Sequence, residues 1–417
     1  MHEDMIAGAG VKPPTGHGVV PVQSSIVSSA AAPAPAPCAV RRLRLSNFRN
    51  YTSLSLDLSA QVVVLSGANG AGKTNLLEAL SFLSPGRGLR RARLRDVLRT
   101  NVSETDVIDA CWAVAATVQG PGGTVKLGSS LATTERGMDR RVARHDGQAM
   151  APANLAQLIG VQWLTPQMDR LFLEGPSSRR RFLDRLVLGL DPEHGRRVGA
   201  YERSLRERAK LLREGGGDKT WLSALEARMA ADGVAVAAAR REALARLQRL
   251  LAATSGHFPN PGLAIEGRVE ALLEDHPAIE VESRFAELLH NSRRRDGQTS
   301  TTADGPHRAD LAVRHLGKDL PAAQCSTGEQ KALLIAVMLA NAKAEAERRG
   351  AAPILLLDEV VAHLDGERRA ALFAEILALG GQAWLSGTDR ELFEPLFGRA
   401  QFVVVENGRA KVEDGLS

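Results

Sequence analysis

The sequence predicts an α/β fold: a mixed sheet around a glycine-rich loop and its helix, an antiparallel β subdomain beside it, and an inserted α-helical lobe. Three observations predict it. A glycine-rich turn at residues 67–74 joins an apolar strand pattern to a helical one. A second apolar strand pattern, residues 353–357, ends on two carboxylates, Asp358 and Glu359. Between them, from about Ser177 to Thr254, the chain turns to charged, Ala- and Leu-rich helical periodicity.

Of 417 residues, 44% are hydrophobic, enough for one large core or two modest ones. The longest apolar run, residues 332–340, is far short of the ~20 needed to cross a bilayer. The start, Met1-His2-Glu3-Asp4, is acidic and lacks the basic-then-apolar order of a secretory signal. Cys38, Cys111 and Cys325 lie far apart and suggest neither a disulfide framework nor a zinc site. A soluble, cytoplasmic protein with no membrane partner is the expectation.

Lysine and arginine exceed aspartate and glutamate by 53 to 48, a net charge of +5, mild by itself. The distribution says more. Arg87, Arg90, Arg91, Arg93, Arg95 and Arg99 crowd one stretch, and Arg179, Arg180, Arg181 and Arg185 another. Guanidinium forks match phosphate oxygens, so Arg87, Arg90, Arg91, Arg93, Arg179, Arg180 and Arg181 are candidate DNA contacts. Solvated helix faces would show the same pattern.

Along the chain, residues 1–39 are rich in Gly, Pro, Ala and Ser and are expected to form a disordered tail. Three strand patterns follow between Arg41 and Leu65, then a helix from about Gly72 to Leu83. Val- and Thr-rich bursts between Ile108 and Arg144, broken at residues 120–123, read as an antiparallel meander. Leu205, Leu211 and Leu212 mark one long helix; Leu225, Met229, Val236, Leu244 and Leu251 mark another. The break between them is Gly215-Gly216-Gly217, giving a helical hairpin. From Ala309 strands and helices alternate again through Val405. The expected divisions are a first lobe over 40–175 and 301–417 and an inserted helical lobe over 176–300.

Gly67-Ala68-Asn69-Gly70-Ala71-Gly72-Lys73-Thr74 has the spacing and the strand–helix context of a phosphate-binding loop. Its glycines let backbone amides turn toward phosphate oxygens, and the helix start adds its positive dipole end. Lys73 suits β/γ-phosphate charge, and the Thr74 hydroxyl suits Mg²⁺. A buried parallel strand ending in Asp358-Glu359 complements this loop. Asp358 would complete the Mg²⁺ shell, and Glu359 would orient or deprotonate an attacking water. An exposed helix start also favours acids, so the pair draws its meaning from the loop.

Cys325-Ser326-Thr327-Gly328-Glu329-Gln330-Lys331 precedes a clear helix. Ser326 and Glu329 form an ordinary capping box. The segment also resembles the Ser-x-Gly-x-Gln signature of ABC-type P-loop ATPase heads. That resemblance implies that Ser326 and Gly328 reach ATP held by a second chain, with Asp365 in the crossing D-loop. Leu43 to Tyr51, Gly175 to Asp184, Gly305 to Leu311 and Ser326 to Lys331 together resemble the RecF family, over about residues 40–408. Membership implies an ATP-dependent homodimer on duplex or junction DNA and weak ATPase activity. It also implies work with RecR and RecO to load RecA. The N-terminal extension and Gln167 depart from that pattern. Gln167 stands where RecF-like chains usually carry an acid, although other ABC ATPases use glutamine there for Mg²⁺ and the attacking water. Thr388 replaces the transporters' switch histidine, as in other RecF-like chains. His307, beside Pro306 and Arg308, is either a functional or a structural histidine.

Three other classes fit less well. Another SMC- or Rad50-like DNA-bound ATPase is nearest, but the insert is short for long coiled-coil arms and holds no Cys-x-x-Cys hook. A transporter ATPase subunit carries a shorter segment between loop and signature. A nuclease needs a further carboxylate cluster, which the chain lacks beyond Asp358, Glu359 and Asp365. With only 4% aromatic residues, backbone contacts by arginine are favoured over stacking on bases.

Overall fold

The computed structural model describes residues 38–99, 111–134, 137–215, 218–253 and 256–413. The expected tail lies outside these except for Cys38 and Ala39, which are already buried. Strand β1 (Ala39–Phe48) buries Val40, Leu43, Leu45 and Phe48 and turns Arg42, Arg44 and Ser46 outward. This is the period-two pattern of a sheet with one covered face. It returns through β2 (Tyr51–Asp57). Strand β3 (Val62–Ser66) is buried throughout and leads through the glycine-rich turn into α1 (Lys73–Ser81).

The expected meander is present as β4 (Ala113–Gly120), β5 (Gly123–Thr133), β6 (Asp139–His145) and β7 (Gln148–Met150). With β1 and β2 it makes a six-stranded antiparallel sheet of order β2-β1-β4-β5-β6-β7. A short helix, α2 (Leu155–Leu158), precedes β8 (Val161–Leu164) and a 3₁₀ turn, Pro166–Arg170.

The helical region begins with α3 (Pro176–Leu190), α4 (His194–Arg213) and α5 (Lys219–Ala253). Then come β9 (Pro261–Glu266), α6 (Arg268–Asp275) and α7 (Ala278–Thr299). The expected hairpin of α4 and α5 is therefore the centre of a larger lobe. Helix α7 packs on both, burying Val281, Phe285 and Leu289 against Tyr201, Met229 and Val234. Strand β9 pairs with β10 (Asp310–His315), which continues to β11 (Leu320–Pro321).

The chain closes with α8 (Thr327–Arg349), β12 (Ile354–Leu357), α9 (Gly366–Leu379), β13 (Ala383–Gly387), β14 (Ala400–Glu406) and β15 (Arg409–Val412). The second sheet has the order β15-β14-β3-β13-β12-β8, parallel except for edge strand β15. It divides the core. Val63, Leu65, Leu356 and Trp384 pack with α1 and the antiparallel sheet, whereas Val64, Leu355, Leu357 and Leu385 pack with α8 and α9. Alternating side chains on fully buried strands thus join two layers into one body.

The helical lobe is locked by a buried guanidinium. Arg208 of α4 donates to Glu226 of α5 at 2.9 Å, to Asp296 of α7 at 2.8 Å, and to Thr302 at 2.9 Å. Truncating one member of such a network leaves buried carboxylates short of a cation. Arg208→Ala should therefore lower stability by about 3–5 kcal/mol in urea denaturation. A loss below about 1 kcal/mol would mean that Arg293 and Arg295 already neutralise the site.

Candidate active site

Parallel register sets the geometry. Ser66 of β3 lies opposite Gly387 of β13, and Leu385 of β13 opposite Leu357 of β12. The loop after β3, the acids after β12 and the end of β13 therefore meet at one sheet edge.

Gly67, Gly70 and Gly72 all have positive φ, at 146°, 80° and 120°. A Cβ on Gly67 would lie 2.2 Å from the Val405 carbonyl oxygen, and one on Gly72 would lie 2.5 Å from Asn50 Nδ2. Only glycine fits these two positions. The loop is also braced from β2 and the turn before it. The Tyr51 hydroxyl donates to the Gly72 carbonyl at 3.1 Å, and Asn50 donates to that of Ala71 at 3.0 Å. Asn75 bonds Asn50 at 2.7 Å, and buried Glu78 holds Arg49 and Arg90.

Lys73 is buried and donates to the carbonyls of Gly67 at 2.7 Å and Ala68 at 3.0 Å, curling its ammonium back over the loop. Burial lowers its pKa, against the opposing pull of Glu359 and Asp358. The Thr74 hydroxyl donates to Asp358 Oδ1 at 3.0 Å, and the Ser386 hydroxyl donates to the same oxygen at 2.7 Å. Burial raises the Asp358 pKa, and these two hydroxyls partly offset it. Glu359 sits beside it in the left-handed region, φ 52°, its amide donating to Ser386 Oγ at 3.0 Å. A non-glycine residue held there is strained, and the Ser386 bond is one constraint that keeps it so.

The structure does not bring every expected residue to this cluster. Gln167 is exposed on the 3₁₀ turn beyond β8, the strand beside β12. Thr388 is exposed just past β13. Ser326 is the N-cap of α8, with both bonds of the capping box formed, and stands exposed beside Gly328. Asp365 caps α9 by accepting from the Arg368 amide at 2.8 Å. Ser326 and Asp365 share no hydrogen bond with the glycine-rich loop among the described residues. Such exposure suits groups that serve a neighbouring chain.

The arginines sort into two groups. Arg179 grips Asp310 through two bonds of 2.7 and 2.6 Å, Arg180 donates to the Ala309 carbonyl at 2.7 Å, and Arg90 is held by Glu78 and Asn75. These three candidate DNA contacts are already engaged within the chain. Arg87, Arg91, Arg93 and Arg181 are exposed and form no salt bridge among the described residues, although Glu202 lies near enough to Arg91 to act on its charge. His307 proves structural: its ring nitrogens bond Tyr201 at 2.7 Å and Thr302 at 2.9 Å, and burial lowers its pKa to about 4. Sequence reasoning overlooked Ser386, Asn50 and Tyr51. Ser386 had a signal, a hydroxyl ending an apolar strand, whereas the other two act through tertiary contacts alone.

The fold and site define an SMC-like head of the ABC-type ATPase fold. The model of the RecF/RecN/SMC N-terminal domain matches residues 39–394. The DNA replication and repair protein RecF of Mesorhizobium japonicum is 48% identical over 90% of this chain and 98% of its own length. That of Rhizobium meliloti is 48% identical over 88% and 97%. The chain belongs to the RecF family. A solved structure of the recombination mediator protein RecF with ATP shares the fold, with TM-score 0.79 and 22% identity over 92% of this chain and all of the other. An Smc head bound to the C-winged helix domain of ScpA shares it more distantly, with TM-score 0.50 and 16% identity over 90% of this chain and 97% of that one.

Because one hydroxyl fixes both acids, Ser386→Ala should leave ATP affinity within about twofold while slowing turnover about tenfold, the worth of one buried hydrogen bond. Ser386→Thr should restore it. Unchanged turnover in Ser386→Ala, measured by phosphate release, would remove Ser386 from the site.

Proposed function

We propose that this chain is an ATP-switched DNA clamp for replication and repair, in which two copies enclose two nucleotides. The observation that carries this is the loop braced at Gly67 and Gly72 against the Thr74–Asp358–Ser386 cluster. Amides of Gly67, Ala68, Asn69, Gly70, Ala71 and Gly72, with Lys73, would surround the phosphates of ATP. Thr74 and Asp358 are hard oxygen donors suited to Mg²⁺, and Gln167, which lies apart from them on its 3₁₀ turn, would have to move in on nucleotide binding to join the shell. Bound Mg²⁺ would neutralise developing phosphate charge. Glu359 would take the proton of the attacking water. From the second chain, Ser326 and Gly328 would contact the same nucleotide, with Asp365 and Thr388 lining the seam.

Closing the dimer would place Arg87, Arg91, Arg93 and Arg181 along DNA, duplex or at its junction with a single strand. Hydrolysis, slow and stimulated by DNA, would reopen it. Relatives called DNA replication and repair proteins, and a structural neighbour from the RecFOR pathway, support this reading. By family resemblance the reading extends to work with RecO and RecR in placing RecA on gapped DNA. No described helix is long and apolar enough to cross a membrane. A cytoplasmic site of action fits that reading.

Two predictions test the cycle. Glu359→Gln should accumulate ATP-bound dimers in sedimentation velocity, while Ser326→Arg binds ATP yet stays monomeric; normal ATP-dependent dimers of Ser326→Arg would refute the shared pocket. Changing Arg87, Arg91, Arg93 and Arg181 to Gln should each reduce the salt dependence of duplex binding by about 0.9 in log–log slope. An unaltered slope in the fourfold variant would place DNA elsewhere.

A further inference from the structure

A cavity of about 910 Å³ opens between the segment after α1, strand β8 and helices α3 and α4. It lies outside the Thr74–Asp358 cluster, and its walls combine two chemistries. Arg87, Arg91 and Arg181 line it; after burial itself, Arg181 and then Arg87 lower the pKa of Arg91, against a smaller opposing pull from Glu202, which lines the cavity along with Glu174, Asp184 and Glu345. Three guanidinium groups crowded together repel one another unless an anion joins them. Deeper in, Arg185 lies with its guanidinium 4.5 Å over the Trp163 ring and 5.5 Å from that of Phe182. Among the described residues its only hydrogen bonds are weak contacts of 3.3 Å to the Trp163 carbonyl and 3.4 Å to Met168 Sδ, and no carboxylate pairs with it. Burial pushes its pKa down to about 9. Gln162, more than nine-tenths buried, gives Nε2 to Glu345 but leaves Oε1 without a partner.

We infer that this cavity binds one unpaired nucleotide of a DNA strand, its phosphate on Arg87, Arg91 and Arg181 and its base against the Arg185 plane near Gln162. A guanidinium backed by an indole offers a base a flat cationic face, so a chain poor in aromatic residues can still stack a base. Phosphate suits the triple-arginine wall better than carboxylate does, because its oxygens can bridge several forks at once. The amide oxygen of Gln162 would accept from the amino or imino edge of the base. The inference rests on the proposed DNA-binding reading and specifies the structure preferred: a duplex ending in an unpaired residue over a blunt one.

The test uses the full chain with Glu359→Gln at saturating ATP, so that the phosphate loop is filled and the dimer is held closed, and a duplex carrying a short overhang with 2-aminopurine at the unpaired position. The expected result is a change in 2-aminopurine emission on binding and about tenfold tighter binding of the overhang than of the blunt duplex. Arg185→Met should abolish both differences while leaving blunt-duplex affinity within about twofold. Because Arg185→Met risks local misfolding, Arg91→Gln combined with Arg181→Gln serves as a second variant and should reduce the overhang preference. Equal binding of overhang and blunt duplex by the parent protein, or equal competition by a poly-glutamate peptide, overturns this inference alone. Failure of every DNA to bind overturns the clamp reading with it.

Discussion

Everything at this site hangs on parallel hydrogen-bond register. Strand β3 is flanked by β13, and β13 by β12, with Ser66 opposite Gly387 and Leu357 opposite Leu385. A one-residue slip would send each strand's side chains to the opposite face. It would also part the glycine-rich loop from Asp358 and Ser386 from Glu359. The apolar residues on both faces of the sheet resist such a slip, because Leu356 and Trp384 fill one core while Leu355 and Leu385 fill the other. Packing thus fixes the position of groups that are themselves costly to bury.

Those costs are visible. Lys73 and Asp358 are both buried, and burial pushes each toward its neutral form. A nucleotide's negative charge beside Lys73 and a cation beside Asp358 would favour the ionised form of each. Glu359 adds a left-handed backbone. Strain and desolvation gathered at one sheet edge mark a site arranged for a ligand rather than for stability. By contrast, the buried charges of the helical lobe around Arg208 are paired within the protein and serve to join three helices.

The loop, the acidic strand and the α8 cap were legible in the sequence because each is local: a spacing of glycines, an apolar run with a polar end, a serine three residues before a glutamate. The meander was legible from its turn at residues 120–123. What stayed hidden depends on tertiary approach. No pattern around Ser386 reveals that one hydroxyl meets both Asp358 and the Glu359 amide. Likewise, Arg179 and Arg181 are two positions apart and look alike in sequence, yet the first closes on Asp310 while the second faces solvent. Helix α7 escaped notice because its polar residues obscure the few apolar positions that pack on α5. The RecF resemblance drew on the order of several segments and matched the family found by comparison.

The central claim is that each nucleotide pocket is shared between two chains. Mixing two inactive variants tests it most directly. Lys73→Ala disables the loop of its own chain, and Ser326→Arg disables the signature it offers to a partner. A mixed dimer would retain one pocket with both parts intact. The account predicts that the mixture recovers ATP turnover that neither variant shows alone. A mixture as inactive as its parents at every ratio, with both variants folded, would contradict it.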